Sequence, residues 1–168
     1  MATRSIVSIR LGRAITHFYR HHDGMPYRAG RDLAVLLERT KIGGAGRLME
    51  KLSEARYADQ PGRLVYDQIG CQDENLDIED TDADWLYEIA FPPPDRYGRL
   101  SDLSVRVHRR GQDDPAFMGD GVDFVIWISD YVRWVNFWHE AGVPQLIGDG
   151  PGGFGLCDKI TTFEEVRG

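Results

Sequence analysis

Three consecutive prolines, Pro92-Pro93-Pro94, stop the apolar run from Trp85 to Phe91. Proline has no amide hydrogen to give to a ladder, so the run before it reads as a strand that ends there. Leu103, Val105 and Val107 then alternate with Ser104, Arg106 and His108. That is the period-two pattern of a half-exposed strand, and it pairs naturally with Trp85 to Phe91. At the other end of the chain, Ile6 to Arg10 and Ala14 to Tyr19 are short β-prone runs separated by Leu11-Gly12-Arg13, which predicts a hairpin. Leu64-Val65-Tyr66 is a further short strand candidate after Pro61-Gly62.

Helical spacing appears twice in the first half. Leu33, Leu36 and Leu37 place a helix from about Arg28 to Thr40, and Leu48, Leu52 and Ala55 place a second from about Gly46 to Ala58. Later, the apolar residues from Val122 to Ile128, interrupted by Asp123, read as a strand. Ser129 then stands as the N-cap of a helix that carries Tyr131, Trp134, Phe137 and Trp138 and closes at Gly142. The expected fold is α+β: a small antiparallel sheet packed against two or three helices. A single domain spans residues 1–168, with a glycine-rich segment at 148–155 before a short element around Ile160 to Val166.

A formal net charge of −7, from 27 Asp and Glu against 20 Lys and Arg, disfavours non-specific binding to nucleic acid or to anionic lipid. No stretch of 18 apolar residues is present, and the first ten residues do not read as a signal peptide. Cys71 and Cys157 have no partners at metal spacing and read as free thiols of a reducing compartment, so a cytoplasmic location is expected.

Several groupings invite a chemical reading. His21, His22 and Asp23, with Asp32 nearby, are residue types that ligate metals or move protons. Adjacent histidines normally point apart, and Gly24 and Pro26 suffice to explain a turn at this place, so a structural turn is expected. Asp73, Glu74, Asp77, Glu79, Asp80, Asp82 and Asp84 place seven carboxylates in twelve residues with no base among them. The spacing of Asp80, Asp82 and Asp84 begins like a calcium loop. Trp85 stands where its turn glycine belongs and Phe91 where its bidentate Glu belongs, so an EF-hand is rejected. The run reads as a solvated loop, as a surface for a basic partner, or as a weak divalent-ion site. Gly148 to Gly155 lacks the Lys and Ser/Thr of a phosphate-binding loop, and no Gly-x-Ser-x-Gly sequence marks a hydrolase nucleophile. Tyr131, Trp134, Phe137 and Trp138 read as core, with exposure of some of them at an interface as the alternative. No cofactor is expected.

Ala2-Thr3-Arg4-Ser5 and Phe18-Tyr19-Arg20-His21-His22-Asp23-Gly24-Met25-Pro26 resemble a family of small phage and prophage proteins. Members open on a Thr-Arg-Ser segment, run a hairpin into a His-x-Asp-Gly-x-Pro turn, and enter a Leu-rich helix. Gly70 to Tyr87, acidic and leading into Trp-Leu-Tyr, is similar to the family's later segment, and the likeness thins after the triple proline. The chain departs from the family in carrying Arg20-His21-His22 where a Cys-His-Trp run is common. The resemblance implies a phage or mobile-element origin. With the chain's acidity, it leads to the expectation of a counter-defence inhibitor of the anti-CRISPR kind, whose partner is a host defence protein or nucleoprotein complex in the bacterial cytoplasm. The expected contact residues are Asp73, Glu74, Asp77, Glu79, Asp80, Asp82, Asp84, Trp134 and Trp138. A small metal-dependent enzyme using the His21-His22-Asp23 turn and a non-enzymatic structural or regulatory phage protein are the alternatives.

Overall fold

The computed structural model describes residues 3–40, 44–55, 67–72, 76–93, 96 and 98–140. Among these residues six strands form one sheet in the order β3-β2-β1-β4-β5-β6. The expected hairpin is β1 (Ser5–Leu11) and β2 (Ala14–Arg20), paired antiparallel from Ser5 opposite Arg20 to Leu11 opposite Ala14. Gly12 takes φ 63 in the turn between them, a left-handed conformation that glycine adopts without steric cost. The helices α1 (Arg31–Thr40) and α2 (Gly44–Ala55) follow, preceded by a π-helical turn at Pro26–Gly30. Strand β3 (Asp67–Gln72) pairs antiparallel with β2 at the sheet edge.

The chain is α+β, as expected, but the sheet is mixed. β4 (Trp85–Phe91) lies parallel to β1, with Ser5 opposite Trp85 and Leu11 opposite Phe91. The physical reason is the crossover: after β3 at the far edge, the chain crosses the hairpin and re-enters beside β1 in the same direction. Part of that crossover is the acidic segment. Its Ile78 and Ala83 are buried against Ile6 and Leu86 on one face of the sheet. β5 (Ser104–Arg109) and β6 (Phe117–Asp120) then extend the sheet as an antiparallel meander.

The opposite face carries the main core. Val7, Ile9, Tyr87, Ile89, Val105 and Val107 meet Leu33, Leu37, Leu48 and Leu52 from α1 and α2, and Phe124 and Ile128 from α3 (Gly121–Glu140). Helix α3 corrects the expectation of a strand over Val122 to Ile128. Phe124, Ile128, Tyr131 and Val135 are buried at helical spacing, whereas Val122 and Ile126 are 43% and 55% exposed. Apolar residues on the outward face of this helix mimic a strand buried on both faces.

The N-cap moves with it. Asp120 Oδ1 accepts the Asp123 amide at 2.8 Å, so the capping carboxylate sits at the true start of the helix, while Ser129 Oγ donates to the Val125 carbonyl at 2.9 Å inside it. Ser129→Ala is accordingly expected to change stability by less than about 0.5 kcal/mol and Asp120→Ala to cost about 1 kcal/mol, measured by denaturant unfolding. The reverse order of effects would reject this assignment of the cap. The strand candidate Leu64 to Tyr66, the expected continuation of the second helix from Arg56 to Ala58, the closure expected at Gly142, the glycine-rich segment 148–155 and the element expected near Ile160 to Val166 lie outside the described residues.

Candidate functional site

The acidic crossover is a built structure. Asp77 Oδ1 accepts the Glu79 amide at 3.0 Å and starts a 3-10 turn over Ile78–Asp80, and Thr81 Oγ1 donates to the Ile78 carbonyl at 2.8 Å. Two arginines from elsewhere in the chain hold the segment. Arg4 donates its amide to Asp84 Oδ2 at 2.8 Å and places its guanidinium 3.4 Å from Asp82. Arg110 donates Nε to the Ala83 carbonyl at 2.8 Å and Nη2 to the carbonyls of Ile78 and Thr81, the former at 3.0 Å, while its Nη1 lies 3.6 Å from Glu79. Glu79 Oε1 also accepts the Gly111 amide at 2.8 Å. The run is therefore not a set of carboxylates left to repel one another.

Asp77, Glu79, Asp80 and Asp82 remain exposed, with 54% of the Glu79 side chain and 62% of the Asp82 side chain in solvent. The bond from Gly111 brings the β5–β6 loop alongside, and that loop adds exposed Asp113 and Asp114. These two carboxylates fall outside the acidic run in sequence; the contacts of Arg110 and Gly111 with the crossover join them to it. Asp73 and Glu74 lie outside the described residues. Trp134 is 2% exposed and belongs to the interior, which corrects its expected place on a contact surface. Trp138 lies in α3, and its side chain is outside the described set.

The His21-His22-Asp23 turn is tied to the Thr3-Arg4-Ser5 segment through Gly24. Gly24 donates its amide to the Thr3 carbonyl at 2.8 Å and accepts Tyr87 Oη at 2.8 Å. A Cβ on Gly24 would lie 2.7 Å from the backbone carbon of Arg4, so a side chain there would push apart the turn and the Thr-Arg-Ser segment. Asp23 takes φ 55, and its carbonyl accepts the Ala29 amide at 3.1 Å. Beneath the turn Arg20, 1% exposed, donates Nε to the His22 carbonyl at 2.7 Å and Nη1 to Asp32 Oδ2 at 3.1 Å. Burial raises the Asp32 pKa above the usual carboxylate value, and the charge of Arg20 works against that rise. His21 and His22 meet edge to face, with ring centroids 4.5 Å apart. Among the described residues no three His, Cys, Asp or Glu side chains are arranged to hold a metal ion.

A second polar grouping runs across the sheet on the face turned from the main core. His17, Ser8, Glu88 and Arg106 are successive neighbours on β2, β1, β4 and β5. Ser8 Oγ and His17 Nδ1 are 2.7 Å apart, and Glu88 Oε2 lies 2.9 Å from His108 Nε2 and 3.9 Å from Arg106 Nε. Sequence spacing does not reveal this row, because each strand contributes only one or two members. Ser8 and His17 have the chemistry of a nucleophile and its base, but they are 4% and 1% exposed and so meet no substrate as they stand.

His17 Nε2 is buried without a hydrogen-bond partner among the described residues. Burial lowers the His17 pKa from 6.5, against an opposing pull from Glu88. A lowered folded-state pKa means that the unfolded chain binds the proton more readily. Stability is then expected to fall as pH drops below about 6.5, until the folded-state pKa is passed. His17→Gln should flatten that part of a pH series of denaturant midpoints. An unchanged slope in the variant would remove His17 as its cause.

No helix among the described residues is long and apolar enough to cross a membrane. Comparison of the chain with protein-family models, with curated proteins and with solved structures gives no match.

Proposed function

We propose that this is a phage or mobile-element protein that acts by binding: it inhibits a host defence complex, in the manner of an anti-CRISPR protein, by setting its acidic crossover against a basic channel that otherwise holds nucleic acid. The observation that carries the proposal is the fixed shape of the exposed carboxylates. Asp77, Glu79, Asp80 and Asp82 project from a segment whose backbone is tied down by Arg4, Arg110 and the buried Ile78 and Ala83. A preformed acidic surface loses little entropy on docking, whereas a solvated loop would have to be ordered first. A net charge of −7 on the whole chain adds long-range attraction to a Lys- and Arg-lined groove. The phage-like Thr-Arg-Ser and His-x-Asp-Gly-x-Pro segments support the biological setting.

The test uses a neutralised variant, with Asp77 and Asp82 changed to Asn, Glu79 to Gln and Asp80 to Asn. These amides keep the acceptors that serve the Glu79 and Gly111 amides. Binding is measured on a defence nucleoprotein complex that co-purifies with the wild-type chain. The association rate is expected to fall by about 10- to 1,000-fold at low salt, and the difference from wild type should shrink at high salt. Equal rates for both proteins under both conditions would return the crossover to the status of a solvated loop.

A further inference from the structure

Two rows of side chains on the face turned from the main core, Ser8–Glu88–Arg106 and Arg10–Ala90–Ser104, enclose a cleft of about 380 Å³. We propose that this cleft binds a small hydroxylated oxyanion, a metabolite bearing a phosphate monoester or a free carboxylate, at a site separate from the acidic crossover.

The register explains the hollow. Each row takes one residue from β1, β4 and β5, directly opposite one another, so all six side chains stand on one face. Ala90, the middle residue of its row, has the shortest side chain of the six and leaves the floor open between Arg10 and Ser104. The volume lies within the range of about 300–1,000 Å³ typical of small-molecule sites.

Charge and donor chemistry select the ligand. Two guanidiniums and one carboxylate make the lining formally positive on a chain of net charge −7. Glu88 is engaged by His108 Nε2 at 2.9 Å and faces Arg106 Nε at 3.9 Å, which fits it to orient Arg106 beside the cleft. Guanidinium forks match the geometry of carboxylate and phosphate oxygens. Ser104, exposed at the rim, supplies a hydroxyl suited to a ligand hydroxyl group. No aromatic ring is present among the described residues that line the cleft, so a nucleobase would find no stacking partner there.

Glucose 6-phosphate, citrate and uncharged glucose serve as probes in calorimetric titrations of the full chain at low salt. Saturable one-to-one binding is expected for glucose 6-phosphate or for citrate and not for glucose; which of the two binds tells phosphate from carboxylate. Arg10→Gln and Arg106→Gln should each weaken that binding by about tenfold or more. Ala90→Leu, which fills the cleft and alters no charge, should weaken it at least as much. Should Ala90→Leu disturb the fold, as seen in its near-ultraviolet circular dichroism, Ser104→Leu at an exposed position blocks the cleft from its rim. Absence of binding by both charged probes, equal binding of glucose, or binding that survives both the arginine changes and a folded cleft-filling variant would overturn the proposal. Neutralising the acidic crossover should leave this binding in place, so the result is independent of the inhibitor reading.

Discussion

Replacing Arg20 by Leu is expected to lower the stability of the fold by about 3 kcal/mol at neutral pH. Arg20 ends β2, and its guanidinium, with the side chain 1% exposed, joins the His22 carbonyl at 2.7 Å to Asp32 at the start of α1 at 3.1 Å. One side chain thus fixes the turn to the hairpin before it and to the helix after it. Leucine fills part of the space but leaves the carbonyl and the carboxylate without that donor, and a lost charged donor costs more than a neutral one.

The effect carries a pH signature through Asp32, whose pKa is already raised by burial with Arg20 opposing the rise. A raised folded-state pKa means that the folded protein binds the proton more tightly than the unfolded chain, so stability declines as pH rises through that interval. Without Arg20 the rise grows. The loss in Arg20→Leu should therefore be larger at pH 7 than at pH 4 in urea denaturation. A loss below about 1 kcal/mol at both values would mean that the turn is held by its glycine and proline alone.

What the sequence discloses depends on how local the determining physics is. Pro92 and the alternation through Leu103, Val105 and Val107 act within a few residues, and β4 and its antiparallel partner β5 appear where they predict. The parallel pairing of β1 with β4 is set by where a long connection crosses the sheet, and no residue in either strand encodes that. Helix α3 reads as a strand because Val122 and Ile126 put apolar side chains on its exposed face, hiding the helical period of Phe124, Ile128 and Tyr131. The acidic run is legible as charge. Its shape is not, because Arg4 and Arg110 are remote in sequence and are brought to it only by the tertiary fold. The cleft is hidden for the same reason: Arg10 and Arg106 become neighbours of one hollow only through the registers of β1, β4 and β5.

Arg110 offers the means to separate the shape of the acidic surface from its charge. Arg110→Met is expected to free the segment from Ile78 to Asp84 at a cost of about 2–3 kcal/mol, since one guanidinium serves the carbonyls of Ile78, Thr81 and Ala83 together. Much of that cost should appear as local opening, because Ile78 and Ala83 anchor only this segment while the main core lies on the other face. Amide exchange at Thr81 and Ala83 should then quicken by about 30- to 150-fold, with exchange in β4 and β5 changed far less. The same substitution removes a positive charge beside Glu79 and makes the surface more acidic. If attraction to a basic channel depended on charge alone, the variant would associate with its partner as fast as wild type or faster. If the carboxylates must be held in place, affinity should fall by about tenfold despite the added negative charge, mostly through faster dissociation. Arg110→Lys keeps the charge without the planar fork and should fall between the two. Faster exchange with undiminished affinity would show that the fixed shape of the crossover contributes nothing to binding.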